Sequence, residues 1–375
     1  MGALGQVFFF VALILVIVIH EAAHFGVAKA FRIKVTEFFV GFGPKIWSTR
    51  RGETEVGFKW IPAGGYVKIA GMNPYEEVRP EDLPRTYGAK PRWQRALVIV
   101  AGPATHFVLA YLCFAAWLGL VGEPIITNPR LLAVEARMNG ETSPATAAGL
   151  QRDDRVVALE GVPNPTQQAL VDYTQEHVGE PITLTVEREG RRITVDVVPE
   201  LSMVEGEQVA RIGVVLGDGV VDRDTTGFLG AIAGGGGLVG ENFVSTISSI
   251  GRVFGPEGIG RIVDLVFTDE PRNEGDPASI VGVGRIAGSL ASDPAGSFWD
   301  ILYLFAVVNV FVGLLNLLPL PPFDGGHVAV LLIEKVRGRP VDMRKVIPVS
   351  AAVAAFFIVF TVAVVYVDIV KPPSF

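Results

Sequence analysis

Apolar and polar positions divide the chain into long greasy segments separated by two different kinds of polar connection. From Val7 to Ile19 there is no polar side chain, and the whole segment Ala3 to Ala30 is long enough to cross a bilayer at about 1.5 Å per residue. Further apolar segments run from Ala96 to Gly122, from about Phe298, and from Ile347 to Val367. The third of these breaks at Leu318-Pro319-Leu320-Pro321-Pro322-Phe323-Asp324-Gly325-Gly326-His327, where three prolines cannot continue a helix. Non-helical backbone at membrane depth survives only where protein or a wet cavity covers it. Between residues 31 and 94 the period falls to two. Strands are expected at Val35 to Val40, Thr54 to Ile61 and Gly65 to Ile69, punctuated by Gly41-Phe42-Gly43-Pro44 and Ala63-Gly64-Gly65. A second β-rich region is expected at Leu131 to Glu135, Arg155 to Leu159, Ile182 to Arg188 and Arg192 to Val198, with a turn at Glu189-Gly190 and a helix over Thr166 to His177.

Composition supports a membrane protein. The 375 residues are 50% hydrophobic, with a mean hydropathy of +0.42, too apolar for an ordinary soluble enzyme. The net charge of -7 conceals an uneven distribution. Lys and Arg crowd the connection from Lys29 to Arg95 and recur at Lys335, Arg337, Arg339, Arg344 and Lys345, which places both connections on the cytoplasmic side. Residues 123–217 are acidic and contain no lysine, as suits an extracytoplasmic domain. Four spans with both termini outside satisfy this alternation. The absence of basic residues at the N-terminus argues against a cleaved signal peptide for the first segment. Residues 218–297 contain the run Gly234 to Gly237, an amphipathic pattern around Phe243 to Phe267 and a mobile loop over Asp269 to Pro277; no function is inferred for them. No Lys/Arg-rich stretch points to direct nucleic-acid binding. The single cysteine, Cys113, rules out an internal disulfide and reads as a small buried residue.

The chemistry concentrates in His20-Glu21-Ala22-Ala23-His24. Two imidazoles four residues apart share one helix face, and the carboxylate between them can serve as a general base, the arrangement of a zinc hydrolase. Counted from Val7, His20 lies about 20 Å along the helix, roughly two thirds of the hydrocarbon thickness. Ionisable groups at such depth point to function. A catalytic zinc needs a third protein ligand and an open position. Asp324, a carboxylate at the broken span, is the best candidate to complete the set, and Glu21 would take a proton from the attacking water.

Five stretches resemble the site-2 proteases, intramembrane zinc metalloproteases, and among them the bacterial regulated-proteolysis group with an extracytoplasmic PDZ domain. They are HEAAH at His20 to His24, GFGP at Gly41 to Pro44 with PAGGYVKIAG at Pro62 to Gly71, GP at Gly102-Pro103, SPATAAGLQRDDRVV at Ser143 to Val157, and NLLPLPPFDGGH at Asn316 to His327. The resemblance implies a polytopic α-helical membrane protein of about four transmembrane helices, with a membrane-associated β-hairpin sheet and a PDZ-like α/β domain. Its parts would be residues 1–122 with the hairpin region 31–94, the PDZ-like domain 123–217, a linker 218–297 and the last two spans 298–375. It further implies Zn2+ held by His20, His24 and Asp324, with Glu21 as catalytic base. Substrate would be bound by Gly41, Phe42, Gly43, Gly64, Gly65 and Tyr66 of the hairpin and by Asn316 and Pro319 of the broken span. The implied partners are the lipid bilayer and single-span membrane proteins such as anti-sigma factors, cut after ectodomain trimming. The PDZ-like domain would bind a peptide or a trimmed ectodomain, or act as a size filter.

This sequence departs from the family at two positions, Phe323 before the aspartate and His106 in the second span, where the family commonly has Leu and Asn. His106 is open to three readings: substrate contact, competing ligand, or hydrogen-bonded packing residue. His327 reads as a helix-start or supporting residue and His177 as a surface imidazole. Gly325-Gly326 reads as close helix packing. A noncatalytic PDZ-containing receptor with a structural metal is the alternative function, and a metal transporter a weaker one.

Overall fold

A computed structural model of the chain describes residues 2–204, 207–217, 219–273, 276–292 and 299–372. It divides into two compact units, Met1–Val121 with Thr226–Phe375, and Gly122–Thr225. In chain order the first unit begins with α1 (Gly2–Ala30), β1 (Val35–Arg51), β2 (Thr54–Ile69), a 3-10 turn at Pro80–Arg85 and α2 (Arg92–Leu120). The inserted unit follows with β3 (Glu123–Thr127), β4 (Leu131–Val134), β5 (Arg137–Met138), β6 (Glu141–Thr142), α3 (Pro144–Ala147), β7 (Arg155–Leu159), β8 (Val162–Pro163), α4 (Gln167–Glu176), β9 (Ile182–Arg188), β10 (Arg191–Val197), β11 (Glu200–Val204), β12 (Glu207–Arg211), β13 (Val214–Leu216) and β14 (Val220–Asp224). The chain returns to the first unit with α5 (Phe228–Phe254), α6 (Pro256–Phe267), α7 (Ile280–Ser292), α8 (Asp300–Asn316), α9 (Asp324–Arg337) and α10 (Ile347–Val370).

In the first unit α2 is the central helix, packed against α1, α5, α8 and α9. Phe9 and Val16 of α1 meet Ala287 and Ala291 of α7 and Ile301 and Phe305 of α8 in one apolar cluster. Ala110 and Phe114 of α2 meet Ala306, Val310 and Leu314 of α8 in another. Among the described residues, three helices are long and apolar enough to cross a membrane: α1, α2, and α10 with the short turn before it. At 17 residues α8 is shorter, about 25 Å against a hydrocarbon core of about 30 Å. Its expected start at Phe298 lies outside the described residues. The glycine run Gly234 to Gly237 lies inside α5 and does not break it. A Cβ at Gly235 would sit 3.0 Å from the backbone nitrogen of Ala115, so the missing side chain lets α5 approach α2 closely. The described part of the segment expected to be a mobile loop is instead tied down. Arg261 grips Asp276 with two bonds of 2.9 Å and Glu270 at 2.6 Å, and Arg272 pairs with the buried Asp368 of α10.

The hairpin differs from the sequence expectation in one respect. Gly41-Phe42-Gly43 and Gly64-Gly65 do not end strands; they bend them, because Gly41, Gly43 and Gly64 take positive φ within continuous strands. Each strand therefore curls. Phe38, Phe39 and Val40 pair on one side with Val67, Tyr66 and Gly65 and on the other with Val56, Gly57 and Phe58. Gly65 to Ile69 is consequently an edge of the sheet, and among the described residues no strand pairs with its far side. The turn at Gly52 is anchored by Glu53, which accepts from both Arg85 nitrogens at 2.7 and 2.8 Å and from Lys29 at the end of α1.

The inserted unit has its own core of Leu131, Leu150, Val156, Leu170, Ile182, Leu184, Val186 and Ile212. Its main sheet runs β10-β9-β7-β8. β9 and β10 turn at Glu189-Gly190, both with positive φ. Thr166 caps α4 by accepting from the Ala169 N–H. The unit extends beyond Gly217, because β14 returns to pair with β3. A groove of about 320 Å³ lies between α4 and β12–β13, lined by residues that include Leu170, Thr174, Arg211, Ile212 and Val214.

Candidate metal centre

α1 is apolar almost throughout, so its helical period alone places His20 and His24 one above the other. Asp324 reaches them as the first residue of α9, immediately after the proline loop. Close packing fixes that entry: a Cβ at Gly325 would lie 2.2 Å from the Leu317 carbonyl oxygen, and one at Gly326 2.4 Å from the Pro321 nitrogen. Larger residues would push the first turn of α9 off the loop.

The two histidine Nε2 atoms stand 3.1 Å apart, and Asp324 Oδ2 lies 3.3 Å from the first and 3.4 Å from the second. Around an ion with bonds of about 2.0–2.1 Å, tetrahedral ligands are separated by about 3.3 Å. The triangle therefore fits zinc, with one corner of the tetrahedron left open. The protonation pattern agrees with this. His24 Nδ1 donates to the Val98 carbonyl of α2 at 2.7 Å, which leaves the Nε2 of the neutral ring as a bare lone pair facing the other two donors. Among the described residues no other His, Cys, Asp or Glu joins these three. His106 meets the opposite nitrogen of His20, Nδ1, at 3.1 Å, and His327 lies half-buried on α9 outside the group. His177 stacks on Tyr173 in the other unit.

α2 closes over the pair through Gly102. A Cβ there would lie 2.3 Å from His24 Nε2 and 2.7 Å from His20 Cε1, so no other residue permits this helix to pass so near. Glu21 projects toward the hairpin edge, where a Cβ at Gly65 would be 2.9 Å from its Cγ. Of the other expected substrate residues, Phe42 and Tyr66 stack at 6.3 Å, and Gly64 leaves room for the Phe42 ring, which a Cβ would approach to 2.7 Å. Gly41 and Gly43 form the bend before them. Asn316 ends α8 half-buried, and Pro319 is exposed in the following loop. The sequence reading missed Asn309, a buried amide on α8 that holds His106. A lone polar residue within the apolar stretch Ile301 to Leu314 was the available signal.

Comparison with known proteins agrees over nearly the whole chain. Zinc metalloprotease Rip1 of Mycolicibacterium smegmatis is 31% identical, the match covering 100% of this chain and 99% of that protein. Zinc metalloprotease Rip1 of Mycobacterium tuberculosis is 29% identical over 98% of each. A solved PDZ domain of an SdrC-like protein from Listeria monocytogenes matches 24% of the chain at 18% identity, with a TM-score of 0.20. The profile of peptidase family M50 matches residues 8–361, and the chain belongs to that family.

Proposed function

We propose that this protein is a zinc-dependent endopeptidase that cuts single-span membrane proteins within the bilayer. The observation that carries this reading is the convergence of three potential metal ligands from α1 and α9, two imidazole nitrogens and a carboxylate oxygen, beside a fourth group suited to proton transfer. Bound zinc would acidify a water and polarise the scissile carbonyl. Glu21, next to His20 on α1, takes the proton of the attacking water and returns it to the leaving amine. The free edge from Gly65 to Ile69 holds an unwound substrate by backbone pairing. Gly65 lets that edge approach Glu21, Phe42 and Tyr66 flank it, and Asn316 and Pro319 contact the substrate backbone from the broken span.

Four crossings follow in this reading, α8 supplying the fourth with its proline loop. The basic connections lie in the cytoplasm and the inserted unit outside. That unit is a PDZ-like domain whose groove between α4 and β12–β13 receives the end of a peptide or trimmed ectodomain. The substrates are proteins such as anti-sigma factors, already shortened by another protease, and cleavage releases their cytoplasmic part. The noncatalytic receptor reading calls for a closed site, whereas three protein donors leave a position open.

The deciding experiment uses the Glu21→Ala variant of the full chain with a reconstituted single-span substrate. Cleavage falls by about 10²–10⁴-fold while one zinc per chain is retained. Undiminished cleavage rules out Glu21 as the base.

A further inference from the structure

Among the described residues, His20 has no backbone carbonyl at its outer nitrogen of the kind that His24 has in Val98. What it has is a chain of side chains, and the sense of every hydrogen bond in that chain can be worked out from one end. Asn309 is 1% exposed on α8. Its Nδ2 donates to the Phe305 carbonyl one turn back, at 2.8 Å, so its Oδ1 faces His106 Nδ1, at 3.1 Å. An amide oxygen only accepts, and His106 Nδ1 must therefore carry the proton. The Nε2 of the neutral His106 ring is then an acceptor, and it meets His20 Nδ1 at 3.1 Å, which must donate. His20 Nε2 is left bare, pointing at His24 and Asp324.

We infer that His106 and Asn309 are positioning residues that hold His20 in the one neutral tautomer that can ligate a metal through Nε2, the nitrogen facing His24 and Asp324. The opposite sense fails at both ends. A flipped Asn309 amide would set its oxygen against the Phe305 carbonyl and would drive a proton onto His20 Nε2, where the ion belongs. The relay also depends on the close approach of α2 and α8, for a Cβ at Gly313 would come within 3.0 Å of His106 Cβ. Ligating histidines commonly donate their outer N–H to a carboxylate, carbonyl or water. An imidazole and an amide perform the same task without adding a charge to a membrane interior, where charge is costly. The three readings of His106 left open by the sequence thus reduce to one, since it faces the side of His20 away from the donor triangle.

This inference rests on the zinc reading above, and its test separates the two. Zinc affinity of the full chain in detergent is measured by competition with a chromophoric chelator, with Zn2+ alone as the probe. His106→Leu, which removes the acceptor, is expected to weaken zinc by about 10–100-fold at an unchanged limiting stoichiometry of one. Asn309→Leu weakens it in the same direction. His106→Gln, whose side-chain oxygen can accept from His20 Nδ1, restores affinity to within a few-fold of the parent. Unchanged affinity in His106→Leu, or a Gln variant as weak as Leu, overturns the relay and leaves the zinc reading intact. A parent protein that binds no zinc overturns both. Should the Leu variants not fold, nitrogen-15 spectra of the histidines in the unmutated protein in lipid decide the matter. Protonated Nδ1 and bare Nε2 on both His20 and His106 support the relay, and the reverse tautomer on either refutes it.

Discussion

Two carboxylates in this molecule, Asp154 and Asp324, stand in opposite chemical situations. Asp154 of the inserted unit is fully buried, and its oxygens accept from Arg188 at 2.6 and 2.7 Å and from the Gln151 N–H at 2.8 Å. Charge is balanced and the lone pairs are occupied. Asp324 instead faces two imidazole nitrogens at 3.3 and 3.4 Å, and in the reading proposed above neither of those nitrogens carries a proton. Acceptors pressed together in a low-dielectric interior repel one another unless a cation joins them. The first carboxylate belongs to a finished structural pair, whereas in that reading the second belongs to a site that an ion completes. What distinguishes them is the count of donors against acceptors around each.

The sharpest way to break this comparison is to disturb the metal centre without touching a ligand. Gly102→Ala would set a methyl group 2.3 Å from His24 Nε2. A ligand displaced on that scale costs about 100-fold in kcat/KM, with a parallel loss of zinc affinity by chelator competition and unchanged helix content by circular dichroism. An Ala variant that binds zinc normally would show that α2 does not shape the site. Asp154→Ala tests the finished pair and should act on stability alone. It leaves Arg188 without its partner and destabilises the inserted unit by about 2–3 kcal/mol, below the full range for broken buried pairs because Arg188 is 25% exposed. Chemical denaturation reads this loss, and zinc affinity stays at the parent value; a fall in zinc affinity would merge two regions that are distinguished here.

The smallest effect concerns pH. Glu53, at the hairpin turn, is held down to about 2, below its ordinary 4.5, first by hydrogen bonds from Arg85 and then by Lys29. A carboxyl lowered on folding contributes stability above its unfolded value and loses it as pH falls. The contribution should therefore be complete above about pH 4.5 and vanish by about pH 2, and at a partly exposed site it amounts to about 1 kcal/mol or less. Glu53→Gln should remove that slope from the pH dependence of unfolding. An unaltered slope would mean that the cluster of Lys29, Glu53 and Arg85 does not stabilise the turn.

Local pattern carried the sequence reading a long way. His20 and His24 follow from helical spacing in an apolar segment, Asp324 from the helix break, and the limits of α4 from Thr166 and His177. What stayed hidden depends on contacts between distant segments. Gly102, Val98 and Asn309 acquire roles only when α2 and α8 pack beside α1: an apolar setting marks Asn309 and a motif marks Gly102, but neither says which side chain it meets. The course of the hairpin is hidden for another reason. Glycine signals a turn and a bulge in the same letters, and only the pairing of Phe38 to Val40 on both sides distinguishes them.

The glycine pair at the start of α9 bears on the energetics of the metal centre. Because Gly325 and Gly326 seat the first turn of that helix directly on the proline loop, packing of the chain itself orients Asp324. A donor set ordered in advance loses little conformational freedom on binding. In this reading, nearly all of the affinity for zinc is then available to favour the native state over the unfolded one. In the same reading, metal supply would set how far the folded membrane unit is favoured over the unfolded one as well as whether it can act.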